Sequence, residues 1–262
     1  MRLLECGELN EPVILGIDCA VEPKKTGLAV GDIHEDVVRI RAVTIGQSQK
    51  HIINEIAGVC NRHSRVLLAL DAPLGWPRAM AEQLAGHRAG RPLREQAALL
   101  FSRVADREVH RRLNQKPLDV GADRIARTAL STLNRLEQLR VAIRQEIPLV
   151  WNTEFDGCGA IEVYPAALLV ALGINPKGYK KPEHQARRVE IVEKLAGELN
   201  LEAVQDAATV DADLLDAALC VLAGADFLRG NAAAPKKEWR ETVEREGWIW
   251  VRRRVGEPPQ TA

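Results

Sequence analysis

The chain has 262 residues, of which 46% are hydrophobic and 27% charged, and its 36 basic and 36 acidic residues balance to a net charge of zero. This composition is typical of a globular protein with a sizeable core, and the balanced charge gives no sign of a nucleic-acid or membrane partner for the molecule as a whole. No stretch approaches the about 18 apolar residues of a membrane span, and residues 1–12 lack the apolar core of a secretory signal. Five cysteines without a CxxC pair are typical of reduced thiols, so we expect a cytoplasmic protein.

The first predicted elements are strands. Val13–Ile17 is an apolar run that ends in Asp18, and a polar turn leads to a second apolar run, Gly27–Val30. Short apolar runs bounded by turn formers indicate buried strands, so we expect an antiparallel pair. Val37–Ile45 alternates apolar and polar residues and predicts a third strand.

A helix and a fourth strand follow. Gln47–Asn61 has apolar residues at helical spacing, and Arg65–Leu70 is an apolar strand that ends in Asp71. Because a helix connects them, we expect this fourth strand to run parallel to the first. Asp18 and Asp71 should then emerge at the same sheet edge, beyond the carboxyl ends of the strands, where open α/β sheets bind ligands.

Residues 78–150 predict a helical insertion after the fourth strand, with helical spacing in Leu93–Arg112 and Arg124–Ile147. The stretch Arg78–Ile147 contains 14 basic and 8 acidic residues. It is either a solvated helical subdomain or a basic surface that holds a polyanion against the site.

The sheet is predicted to resume in a β-rich run, Gly159–Tyr164, which contains Glu162. Apolar spacing then predicts three helices. They are Ala166–Leu172, Glu183–Leu199 and Asp211–Leu228. We predict a single domain over residues 1–262, with a C-terminal extension at about 231–262 in which Trp248–Val251 forms a late strand or hairpin.

Acidic residues recur beside buried structure in this pattern. They are Asp18, Asp71, Glu162, Asp213 and Asp216. Asp213 and Asp216 are three residues apart and therefore share one helix face, although Asp213 also suits the positive end of the helix dipole. Several carboxylates in one cleft repel each other and need a cation, and oxygen ligands without His or Cys suit Mg²⁺ or Mn²⁺. The pattern predicts a site with two such ions for phosphodiester hydrolysis, with no protein nucleophile.

This order of strands, crossover helix and terminal acidic helix resembles the ribonuclease H-like fold. A closer resemblance is to the family called domain of unknown function 429, whose members are described as predicted RNase H-like nucleases. It is carried by LGIDCA, LALDAPLGWP, ADREVHRRL, PLDVGADRIA, IEVYPAALL and DLLDAAL, in the family's order over roughly residues 13–228.

The resemblance implies an α/β fold with a mixed five-stranded sheet flanked by helices. It also implies that Asp18, Asp71, Glu162 and Asp216 occupy the acidic positions, with Asp213 as a fifth candidate. The turn between the first two strands departs from the family, because Val21–Lys25 stands where family members are often glycine-rich.

Substrate-binding candidates lie in two places. Asp106-Arg107 and Asp123-Arg124 each join an acid to a guanidinium, which forms either a structural ion pair or a phosphate contact. A polar loop supplies Tyr179, Lys180 and Lys181 as further phosphate contacts. Trp248 and Trp250 either stack on bases or cover the sheet edge.

The leading hypothesis is a divalent-metal-dependent nuclease that acts on DNA or RNA. No GxSxG, HExxH or GxxxxGK[ST] motif is present to indicate another chemistry. One alternative is an actin-like or sugar-kinase-like phosphotransferase, for which Thr26-Gly27 would be part of a phosphate-binding hairpin. The other is a non-catalytic nucleic-acid-binding protein on the same fold.

Overall fold

The computed structural model describes residues 12–121 and 123–254, and it centres on a mixed six-stranded sheet in the order β5-β4-β1-β2-β3-β6. The strands are β1 (Val13–Asp18), β2 (Gly27–His34), β3 (Val37–Ile45), β4 (Arg65–Asp71), β5 (Gly157–Glu162) and β6 (Leu199–Asn200). β1, β2 and β3 are antiparallel neighbours, whereas β4 is parallel to β1 and to β5. Cys6 and both ends of the predicted domain lie outside the described residues.

The predicted count of five strands is wrong, because β6 adds a sixth at the edge beyond β3. β6 has two residues and pairs in parallel with Val38 and Arg39. Its residues lie where the sequence predicts the end of the helix Glu183–Leu199, but that helix ends at Leu195. Two residues are too few to produce a recognisable alternation of apolar and polar side chains.

Helices cover both faces of the sheet. They are α1 (Gln49–Cys60), α2 (Arg78–Leu84), α3 (Ala97–Phe101), α4 (Val104–Leu113), α5 (Asp123–Ile143), α6 (Pro165–Ala171), α7 (Gln185–Leu195), α8 (Gln205–Val210), α9 (Ala212–Leu228) and α10 (Arg240–Glu246). One buried core lies between the sheet and α9, with α6 and α7 behind it, and the other lies between the sheet and the pair α1 and α5. In the chain order, α2, α3, α4 and α5 all come between β4 and β5. The single helix expected over Leu93–Arg112 is interrupted at Ser102 and Arg103, because the backbone of both residues is extended.

The long apolar helix α9 lies directly on β1 and β2 because glycines face it. A Cβ atom on Gly16 would lie 2.1 Å from the carbonyl oxygen of Ala217, and one on Gly27 would lie 2.1 Å from that of Asp213. Neither strand therefore tolerates a side chain at these positions without moving the helix. This close approach fixes the start of α9 against the carboxyl end of β1.

The C-terminal segment covers the outer edge of β5. The backbone N–H of Trp250 donates to the carbonyl of Glu162 at 2.9 Å, and both Trp248 and Trp250 are buried. The segment makes isolated bridges rather than the predicted regular strand or hairpin. Its tryptophans are buried against the edge and are not available to stack on bases. Among the described helices, none has both the length and the apolar content to cross a membrane.

Candidate metal centre

Three carboxylates from three separate elements meet at the carboxyl end of the central strands. Asp18 ends β1, Asp71 ends β4, and the two are direct partners in the parallel register. Asp216 lies in the second turn of α9, which the glycine contacts hold over β1. Each residue places a carboxylate oxygen within 4.8 Å of an oxygen of the other two. We call Asp18, Asp71 and Asp216 the aspartate trio.

Two members of the aspartate trio, Asp18 and Asp71, are costly to ionise in this position. Asp216 is fully buried, Asp18 is 8% exposed and Asp71 is partly buried. Burial, together with the charge of Asp216, raises the pKa of Asp18 well above its usual range. Burial also raises the pKa of Asp71 to about 7, although the ammonium of Lys180 opposes this rise. Uncompensated carboxylates at such a distance favour a bound cation.

Asp216 receives two groups from the loop that follows α6. The hydroxyl of the buried Tyr179 donates to Oδ1 of Asp216, and the ammonium of Lys180 forms an ion pair with Oδ2. Oδ2 is buried, and it accepts no hydrogen bond of regular geometry from the described residues. Burial disfavours the charge on Lys180, but the carboxylates of the trio outweigh this effect and raise its pKa.

Arg188 of α7 fixes the loop that carries these groups. Its side chain is 1% exposed and donates to the carbonyls of Tyr179 at 2.6 Å and Lys181 at 2.9 Å. It also donates to the carbonyl of Thr209 at 2.7 Å, just before α9. One buried guanidinium therefore ties the loop to the start of the helix that carries Asp216.

Asp213 lies beside the trio without joining it. Its side chain is partly buried, and its backbone N–H donates to the Asp211 carboxylate at 2.8 Å, which caps α9. Burial and the charge of Asp211 raise the pKa of Asp213, and Lys25 of the first turn opposes this rise. The helix dipole favours an acid at position 213, but only Asp216 reaches the other two carboxylates.

Glu162 lies outside the aspartate trio, although the sequence predicts it as a ligand of the same site. In the register of β4 and β5, Glu162 pairs with Leu70 rather than with Asp71. Because side chains alternate along a strand, Glu162 lies on the same face as Leu70 and Ala160, opposite to the face that carries Asp71. The one-residue offset places it in a different environment.

In that environment Glu162 is neutralised by Arg103. The guanidinium donates Nη1 to Oε2 at 2.7 Å and Nη2 to Oε1 at 2.6 Å, and it also pairs with Asp106 at 2.8 Å. The backbone N–H of Leu74 donates to Oε2 of Glu162 at 3.0 Å. All three charged side chains are at most 4% exposed. We call Arg103, Asp106 and Glu162 the arginine network.

Two other predicted substrate-binding residues, Arg107 and Arg124, do not pair with the acid that precedes each of them in the sequence. Arg107 donates to the carbonyls of Ala98 and Ser102 and does not pair with Asp106. The acid of the second pair, Asp123, contacts Arg127 at 3.4 Å rather than Arg124, which is exposed.

The predicted loop residues also differ from one another. Tyr179 and Lys180 point into the aspartate trio, whereas the adjacent Lys181 is exposed. The residues that the sequence interpretation overlooked are Arg103 and Arg188. Arg188 was detectable, because it occupies the apolar stripe of α7 with Ile191, Val192 and Leu195.

The hairpin turn that would bind a phosphate in the phosphotransferase hypothesis is closed. Thr26 is fully buried and its hydroxyl donates to the carbonyl of Ala20 at 3.4 Å. Gly27 contacts the backbone of Asp213 on α9. The two residues that this hypothesis invokes are therefore occupied by contacts within the protein.

Comparison with known proteins places the chain in a family. A comparison with curated proteins finds no match. Residues 16–240 match the family described as protein of unknown function (DUF429). The matched segment contains the whole aspartate trio and the arginine network, and it covers most of the chain. This chain belongs to the DUF429 family.

Proposed function

We propose that this protein is a divalent-metal-dependent hydrolase of phosphodiester bonds in DNA or RNA. The observation that carries the proposal is the aspartate trio itself, in which three carboxylates from β1, β4 and α9 converge within 4.8 Å. The buried Oδ2 of Asp216 has the ammonium of Lys180 as a charged neighbour and accepts no hydrogen bond of regular geometry from the described residues, so it has lone pairs left for a metal ion.

The donors fit Mg²⁺ or Mn²⁺, with Asp18, Asp71 and Asp216 as the residues that would hold two ions. Carboxylate oxygens are the ligands that these hard cations prefer. When bound, the ions supply activation of the attacking water and stabilisation of the leaving oxygen. Tyr179 holds Oδ1 of Asp216 in place, and Asp213 adds negative charge at the margin of the site.

A polynucleotide would find both space and charge in the segment that follows β4. A cleft of about 360 Å³ begins three residues after Asp71. Its lining includes Leu74, Gly75, Trp76, Arg78, Leu133 and Arg245. In the loop between α2 and α3, Arg88, Arg91 and Arg94 are exposed. An indole suits stacking with a base and arginines suit phosphates, so these features support a nucleic-acid substrate.

The ribonuclease H-like fold and a cytoplasmic location are parts of the same proposal. The order β5-β4-β1-β2-β3, with three antiparallel strands followed by two parallel ones, supports the fold assignment. The four cysteines among the described residues are free and buried, which supports a reducing compartment. The closed turn at Thr26 and Gly27 weighs against the phosphotransferase alternative.

The direct test measures Mn²⁺ binding by calorimetry, thermal melting with and without the ion, and cleavage of labelled DNA and RNA. We expect Mn²⁺ to bind and to raise the melting temperature of the wild-type protein. Asp18→Asn and Asp216→Asn should abolish binding and cleavage, because each removes a ligand charge. Asp36→Asn, which changes an exposed acid in the turn between β2 and β3, should leave all three measurements unchanged.

The outcomes separate the remaining alternatives. Absence of Mn²⁺ binding and of cleavage would refute the proposal. Polynucleotide binding that persists in that case, and that weakens steeply with salt, would indicate the non-catalytic nucleic-acid-binding protein instead.

A further inference from the structure

The position of Lys180 inside the aspartate trio has a consequence beyond substrate contact. Its ammonium forms an ion pair with the buried Oδ2 of Asp216 and interacts electrostatically with Asp18 and Asp71. We infer that Lys180 is the resident cation of the site: it neutralises the trio in the metal-free protein and leaves Asp216 when a divalent ion binds. This inference rests on the proposed function.

The trio provides more negative charge than Lys180 can balance. Three carboxylates share the ammonium, and no other basic residue among those described forms an ion pair with Asp216. The nearby Lys25 interacts with Asp213 at the rim. When all three carboxylates are ionised, a single lysine leaves residual negative charge, and this charge favours a divalent ion over a monovalent ammonium.

The side chain of Lys180 can leave Asp216 without movement of the backbone. It is 54% exposed although its ammonium contacts a carboxylate that is fully buried, so its stem runs along an open path to solvent. The backbone on both sides stays fixed, because Arg188 holds the carbonyls of Tyr179 and Lys181 and the Tyr179 hydroxyl holds Asp216. Release of the ammonium thus requires side-chain rotation alone.

The ammonium and a divalent ion cannot share the site at full strength. Both would contact Oδ2 of Asp216, which the ammonium occupies in the metal-free protein. Once displaced, the ammonium remains at the rim of the trio because its backbone is anchored. From there the ammonium of Lys180 can contact a phosphate of the substrate. Binding of the divalent ion would therefore favour binding of the polynucleotide.

The test compares Lys180→Met with Lys181→Met in the full-length protein. Both variants remove one positive charge from the same loop, but Lys181 is exposed and Lys180 contacts the trio. Removing a competing charge at contact distance should tighten Mn²⁺ binding by Lys180→Met on the order of tenfold in calorimetry. Lys181→Met should keep the wild-type affinity. Without metal, Lys180→Met should melt roughly 4 °C or more below Lys181→Met at pH 8.

Each outcome decides the inference. If the wild-type protein binds Mn²⁺ and Lys180→Met binds it equally or more weakly, the inference fails while the metal site stands. If neither protein binds Mn²⁺, the proposed function itself fails. Binding by Lys180→Met but not by the wild-type protein would support the inference in its strongest form. Should Lys180→Met not fold, Lys180→Gln, which keeps a hydrogen-bond donor near Asp216, carries the same expectations.

Discussion

Two buried acidic clusters lie at neighbouring strand ends of this sheet, and they are balanced in opposite ways. In the arginine network, the Arg103 guanidinium makes paired hydrogen bonds with both Glu162 and Asp106, so each of the two carboxylates accepts two hydrogen bonds from it. In the aspartate trio, the ammonium of Lys180 is the only basic group among the described residues that forms an ion pair with any of the three carboxylates, and its side chain is half exposed to solvent. The first cluster holds the fold together, and the second keeps an unbalanced charge that a cation can satisfy.

A single residue of register separates the two clusters. Leu70 pairs with Glu162, so the acid of β5 lies on the face of α1 and α5, whereas Asp71, the next residue of β4, lies on the face of α9. The carboxylates of Asp71 and Glu162 therefore lie in different environments although their strand positions are adjacent. The contrast teaches that an acid at a strand end indicates a site only when its face of the sheet is known.

The largest expected effect comes from breaking the arginine network. Arg103→Met leaves Glu162 and Asp106 buried without their counter-ion, so we expect the free energy of unfolding to fall by about 3–5 kcal/mol, as measured by urea denaturation. Combining it with Glu162→Gln should restore part of this loss. Arg127→Met removes an exposed pair with Asp123 and should cost less than about 1 kcal/mol. A small effect of Arg103→Met would show that the network is not structural.

In contrast to Arg103→Met, Asp71→Asn is expected to raise the free energy of unfolding of the metal-free protein. The folded pKa of Asp71 is about 7, whereas an unfolded aspartate has a pKa of about 3.9. Because the folded pKa is raised, the stability contributed by this group is fully present below pH about 4 and is lost as the pH rises through about 7. Removing the ionisable group should therefore stabilise the metal-free protein at pH 8 by about 1–2 kcal/mol and have little effect at pH 4.

The measurement for Asp71→Asn is a series of urea denaturations from pH 4 to pH 8 with a chelator present. The wild-type protein should lose stability across this range more steeply than the variant. Parallel curves for the two proteins would contradict a raised pKa at Asp71. Glu162→Gln is the matched comparison, and it should destabilise the protein at pH 8 because it removes a partner of Arg103.

The smallest effect should come from Asp213→Asn, which marks the boundary of the trio. Asp213 influences Asp18 through its charge but has no oxygen within the grouped ligands. We expect Mn²⁺ affinity to fall only two- to threefold, roughly the effect of one distant charge, whereas Asp216→Asn should abolish binding. Loss of binding in Asp213→Asn would instead make it a ligand.

The sequence was sufficient to predict that Asp18 and Asp71 end neighbouring parallel strands. Apolar runs that end in Asp18 and Asp71, joined by a crossover helix, fix a parallel pair whose ends coincide, and the structure has this register. It was not sufficient for Glu162, because β5 begins at Gly157 rather than at the predicted Gly159, and no pattern reveals how it aligns with β4. Likewise, a loop has no periodicity to show that Tyr179 and Lys180 turn inward to Asp216, 37 and 36 residues further along the chain.

The close contact of Gly16 and Gly27 with α9 also determines the stage of folding at which the aspartate trio is assembled. Asp18 and Asp216 are 198 positions apart, and the third carboxylate arrives only when α9 settles on the two glycines. A growing chain on the ribosome that lacks α9 has two aspartates at the sheet edge but no complete set of ligands. The hydrolysis that we propose would therefore require almost the entire sheet and its last long helix, and a partly synthesised chain would lack it.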